Sequence, residues 1–96
     1  MTPSFSVQIT SHFEREFRKL AKRHSDLVAA YGRAISILKI DPYNVSRSHP
    51  IKKLEGVETG EGQYRLRISR WRFRYDILER VVYLKACSLR REDTYR

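Results

Sequence analysis

Arginine alternates with apolar and aromatic residues through the last third of this 96-residue chain. In Tyr64-Arg65-Leu66-Arg67-Ile68 and again in Trp71-Arg72-Phe73-Arg74-Tyr75-Asp76-Ile77, charged and apolar side chains swap at nearly every step. Period two is the signature of a half-buried β-strand, in which successive side chains point to opposite faces. Tyr64, Leu66 and Ile68 would face inward with Trp71, Phe73, Tyr75 and Ile77. Arg65, Arg67, Arg72 and Arg74 would line the other face. Like charges on neighbouring strands weaken a sheet, so four guanidiniums there make sense chiefly as a receptor for a polyanion.

The guanidinium is a planar fork of donors that matches two phosphate oxygens at once. Arg65, Arg67 and Arg72 can grip a backbone phosphate and stabilise the added negative charge of a pentacoordinate transition state. Arg90, Arg91 and Tyr95 follow the final strand, and a tail folded over the same face would add two cations and a phenol. A phenol can stack on a base, orient a 2′-hydroxyl or exchange a proton. The same residues suit a surface that binds nucleic acid without cutting it, with Tyr95 pinning the C-terminus. On the residue types alone, binder and catalyst stand level.

Other chemistry finds little support. His12, His24 and His49 are scattered, with no second metal ligand at a useful spacing, so neither a metal nor any other cofactor is expected. His49 lies in a loop from which it could approach the basic face. Cys87 is the single cysteine, which excludes an internal disulfide, and its apolar surroundings from Val81 onward point to a buried, inert thiol. Ser/His/Asp order, a phosphate-cradling glycine loop and paired carboxylates are all missing.

The elements that must position these residues can be read from the pattern. Phe5 to Ile9 alternates as a short strand. Ser11-His12-Phe13-Glu14 has capping-box spacing and opens a helix to about Arg23, with Phe13, Phe17, Leu20 and Ala21 on one stripe. Ser25 or Asp26 caps a second helix to about Lys39, striped by Leu27, Val28, Tyr31, Ala34, Ile35 and Leu38 and stopped by Asp41-Pro42. Pro42 to Pro50 reads as loop, Val57 to Gly62 as a turn, and Val81 to Ser88 as the last strand. The expected fold is α+β, β-α-α-β-β-β. Two antiparallel N-terminal helices would cover one face of a mostly antiparallel sheet, and the arginines would occupy the other.

Ninety-six residues make one domain with a single modest core. The net charge is +9 and the pI about 10.1. Residues 64–96 hold ten basic and four acidic groups, against ten and seven in residues 1–63. Such a balance favours nucleic acid or an acidic protein as partner. No apolar run approaches the ~20 residues of a membrane span, and no signal-peptide pattern opens the chain, so a cytoplasmic protein without a membrane partner is expected.

The ordered set Lys53-Leu54-Glu55-Gly56, Tyr64-Arg65-Leu66-Arg67-Ile68, Trp71-Arg72-Phe73-Arg74-Tyr75-Asp76 and Arg90-Arg91-Glu92-Asp93-Thr94-Tyr95 resembles the RelE/ParE superfamily of toxins from type II toxin–antitoxin systems. With the two helices and the length, the resemblance spans essentially the whole chain. It implies a toxin whose partner is a cognate antitoxin. RelE-like members cleave mRNA in the ribosomal A site without a metal, by attack of the ribose 2′-hydroxyl on the adjacent phosphate. ParE-like members poison DNA gyrase instead. By position, the resemblance assigns catalysis to Arg65, Arg67, Arg72, Arg91 and Tyr95, and RNA contacts to Arg74, Arg90, Lys53 and Trp71. The filled set favours the RelE-like endoribonuclease. One departure bears on mechanism: the best-known RelE pattern has lysines where Arg65 and Arg67 stand. Arginine does not give up its proton, so the base falls to Tyr95, or secondarily to His49.

Overall fold

The computed structural model describes residues 5–89 of the chain, in which two helices lie on one side of a five-stranded sheet. In chain order the elements are β1 (Ser6–Ile9), α1 (Ser11–Arg23), α2 (Asp26–Ile40), β2 (Ile51–Lys53), β3 (Tyr64–Ile68), β4 (Trp71–Leu78) and β5 (Val81–Leu89). The sheet order is β1-β5-β4-β3-β2. β1 runs parallel to β5 and every other pair is antiparallel. The expected α+β architecture is therefore present, with one strand more than the alternation suggested. β2 is only three residues long, too short for a period to register, and it exists because Ile51 pairs with Leu66 at the edge of the core.

Both helices begin and end where local chemistry dictates, though not always at the expected residue. The cap of α1 is Thr10 rather than Ser11: the Thr10 Oγ1 accepts the Phe13 amide at 3.1 Å. Glu14 in the first turn and Lys22 and Arg23 in the last complement the helix dipole, and Glu14 pairs with Arg18 at 2.8 Å one turn on. Ser25 occupies the cap position of α2 without a side-chain bond, and the Asp26 carboxylate is engaged with Arg70 and Trp71. Leu27, Ala30, Ala34 and Leu38 form the buried stripe of α2, and its two alanines allow close approach to the sheet. Asp41 closes that helix, with its amide on the Ile37 carbonyl at 2.8 Å.

Phe13 and the α2 stripe pack on Leu66, Ile68, Trp71, Phe73, Tyr75, Val82, Leu84 and Cys87. Phe17 and Tyr31 bring the two helices together with ring centres 4.9 Å apart. At about 25 cal/mol per Å² of apolar surface, a core of this size is the main stabilising term. The β3–β4 and β4–β5 hairpins each turn on two residues, led by Ser69 and Glu79 with φ of 57°. An even loop carries side-chain parity across the turn, so the inward face of β3 continues as the inward face of β4. No helix among the described residues is long and apolar enough to cross a membrane.

Candidate functional site

The hairpin register sets Arg67 directly opposite Arg72, and Arg65 directly opposite Arg74. Leu66, Ile68, Trp71 and Phe73 between them are buried against the helices, so all four arginines project from the uncovered face. The backbones of directly paired residues lie about 4.5–5.5 Å apart, which brings the bases of these side chains within one phosphate's reach. Arg72 is half-buried, and its Nε is shielded from solvent without a hydrogen-bond partner among the described residues. A buried donor on a charged group is costly to leave unmatched and attracts an anionic acceptor. Ser88 on β5 is the cross-strand neighbour of Arg72 and extends this row with an exposed hydroxyl.

Arg74 has a different occupation. Its Nε donates to the Gly62 carbonyl at 3.0 Å and its terminal nitrogen to the Glu61 carbonyl at 2.9 Å. Next along β4, the buried Asp76 carboxylate accepts the amides of Gly62 and Gln63 at 2.9 and 3.0 Å. Together they tie the segment before β3 down over the open face. Gly62 permits this closeness: with φ of 82°, a Cβ there would come within 3.1 Å of the Arg74 Cβ. Arg74 is thus a structural clamp, and it leaves Arg65, Arg67 and Arg72 as the arginines of the open cleft.

Two further residues assigned to RNA contact stand elsewhere. Trp71 is fully buried, and its indole N–H donates to Asp26 Oδ2 at 2.9 Å. Its parity sends it to the core, and its role is to lock the β3–β4 turn to the corner between the helices. Arg70 completes that lock with two bonds to Asp26, at 3.1 and 2.9 Å, and its guanidinium lies 5.5 Å from the Trp71 ring centre. Hydrogen bonds from Arg70 and then Trp71 hold the Asp26 carboxyl well below its ordinary range. Lys53 pairs with Tyr64, so it too lies on the helix-covered side of the sheet. Arg90, Arg91 and Tyr95 lie outside the described residues.

Neither His49 nor the cysteine enters the open face. His49 Nε2 is 3.8 Å from Asp41 Oδ2, and its backbone is held by the Asn44 side chain. Burial opposes the charge of Asp41, yet the Ser46 hydroxyl and the Val45 and Ser46 amides outweigh it and lower the carboxyl's pKa. The next residue, Pro42, is buried with its carbonyl on the Tyr75 hydroxyl, so this loop belongs to the helix side and His49 is no base for the arginines. Burial pushes the Cys87 thiol up to about 12, which fits the expected inert cysteine. Among the described residues no three His, Cys, Asp or Glu side chains gather as a metal site.

A groove of about 660 Å³ runs between α1 and the end of β5, lined by Glu16, Lys19, Leu20, Cys87, Ser88 and Leu89. It meets the arginine face only at Ser88, so the cationic chemistry resides on the open sheet rather than in this groove.

No family model and no curated relative matches the sequence. Solved structures do. The toxin–antitoxin complex RelBE2 from Mycobacterium tuberculosis contains a chain that superposes with a TM-score of 0.67 and 22% identity. The match covers 92% of this chain and 99% of that one. A chain of the archaeal RelE–RelB complex from Pyrococcus horikoshii OT3 matches with a TM-score of 0.67 and 21% identity, over 93% of this chain and 98% of the other. The fold, over nearly its whole length, is theirs.

Proposed function

We propose that this chain, which shares the fold of chains from two RelE–RelB-type complexes and carries a row of arginines on the open side of its sheet, is the toxin of a toxin–antitoxin pair. In this reading it is an endoribonuclease that cuts mRNA on the ribosome. The observation that carries the proposal is the cross-strand set Arg65, Arg67 and Arg72, with a buried Arg72 donor that lacks a partner among the described residues. Three arginines on one face can bind a scissile phosphate, neutralise its charge as a fifth oxygen adds, and accept the developing negative charge. The 2′-oxygen attacks phosphorus and the bond to the 5′-oxygen breaks. A 2′,3′-cyclic phosphate and a 5′-hydroxyl result, the departing 5′-oxygen taking its proton from solvent, with no metal required.

The proton of the attacking hydroxyl needs an acceptor other than arginine. With His49 on the far side, Tyr95 takes that role here, and Arg91 joins the phosphate-binding set. A positioned base contributes about 10²–10⁴-fold, so Tyr95→Phe should slow single-turnover cleavage and flatten its pH profile. Coincident profiles for the two proteins would remove Tyr95 from the mechanism. The antitoxin would cover the basic face with acidic or helical segments.

The decisive test is brief expression in a bacterium followed by mapping of new mRNA 5′ ends. Codon-phased cuts inside translated regions, lost with Arg72→Ala, are the expected result. Growth arrest without new ends would move the target to DNA gyrase. Absence of both would leave a nucleic-acid-binding module.

A further inference from the structure

β2 carries two adjacent lysines that only the register distinguishes. Lys53 pairs with Tyr64 on the helix-covered side, and its Nζ lies 5.8 Å from the centre of the Tyr64 ring. Lys52 pairs with Arg65 and therefore stands on the open face. It is exposed, and among the described residues it takes part in no hydrogen bond or ion pair. A lysine opposite an arginine adds repulsion to a sheet that already pairs Arg65 with Arg74 and Arg67 with Arg72.

An edge lysine can serve merely to discourage strand-on-strand aggregation, and either neighbour would do that equally well. The open face makes a sharper use of Lys52. On the β5 side the segment tied to Arg74 borders a shallow pocket whose opposite wall includes Lys85 and Ala86. At the β2 edge Lys52 is exposed. The register puts Arg72 two strand spacings across and two residues along from Lys52, about 12 Å at the backbone, so the two lie within reach of phosphates about two nucleotides apart.

We infer that Lys52 is a phosphate-binding residue of the arginine face, and that a single-stranded RNA crosses the sheet from the β2 edge over Arg65 to Arg67 and Arg72. The inference rests on the nucleic-acid reading above and adds the direction of the strand and the residue that receives it. Lys53, one position on, takes no part.

The test is binding of a single-stranded RNA oligonucleotide with 2′-O-methyl riboses, which cannot be cut by 2′-attack, measured by anisotropy over a range of salt. Wild type is compared with Lys52→Ala, Lys52→Arg, Lys53→Ala and Arg67→Ala. Each phosphate contact adds about 0.7 to the slope of log K against log salt for a single strand. Lys52→Ala should lower the slope by about 0.7 and weaken binding about five-fold at ~0.1 M salt. Lys52→Arg should restore both, and Lys53→Ala should change neither. A Lys52→Ala slope equal to wild type, with Arg67→Ala impaired, would overturn the inference and leave the reading of the face intact. Binding by wild type that ignores salt, or that Arg67→Ala leaves unchanged, would overturn both. Lys52 is exposed on a three-residue edge strand, so loss of the fold does not confound the comparison.

Discussion

At the scale of single residues, the open face divides its charges between holding the protein together and leaving it ready for a ligand. Arg74 and Asp76 are side by side on β4, and both spend their polar atoms on the backbone from Glu61 to Gln63. Replacing Asp76 with alanine removes two charge-assisted bonds from buried or half-buried amides, each worth about 1.5–3 kcal/mol. Thermal unfolding of Asp76→Ala should fall by roughly 4–8 °C for each kcal/mol in a domain this size. RNA binding should suffer less than stability, because Arg65, Arg67 and Arg72 hang from strands rather than from that segment. A variant that melts like wild type would show that water replaces the carboxylate without cost.

At the scale of elements, the helical corner and the β3–β4 turn are joined by one carboxylate. Asp26 receives Arg70 twice and Trp71 once, across a sequence separation of more than forty residues. Its pKa is depressed from an ordinary value of 3.8, so it contributes stability in full above that value and loses it as the pH falls through the folded value. The difference in melting temperature between wild type and Asp26→Asn should be constant above about pH 5 and shrink steadily below pH 4. A difference that does not change with pH would show that the turn does not depend on the ionised carboxylate. This clasp also marks where sequence reading stops. Period-two alternation and even turns revealed the arginine face, because both are local. The partner of Trp71 was hidden, since nothing within the local pattern points to Asp26. The same limit applied to β2, where parity between Lys52 and Lys53 depends on pairing with a strand ten residues away, and to Arg74, whose acceptors are backbone carbonyls of an irregular segment. The tail residues Arg91 and Tyr95 remain assignments from resemblance.

At the scale of the whole molecule, a net charge of +9 on 96 residues favours an anionic partner and opposes compactness. Inorganic polyphosphate, which offers phosphates without bases or riboses, should raise the melting temperature at low salt. At a hundred times its Kd the gain is about 2.7 kcal/mol, and it should fade as salt screens the charges. No shift at low salt would mean that the arginine face needs more than charge to hold its ligand. The strand order carries a separate consequence, one for the timing of folding. β5 is the last of the described strands in chain order, yet it sits inside the sheet between β4 and β1, and it pairs Val81 with Ser6 some 75 residues upstream. It also supplies Val82, Leu84 and Cys87 to the core. A nascent chain that has not reached Val81 leaves β1 without a partner and the helices without the part of their floor that β5 supplies. Contacts so distant in sequence form late. Synthesis must therefore pass β5 before the sheet can close, and a message broken upstream of that strand yields fragments in which β1 and β4 have nothing to join them.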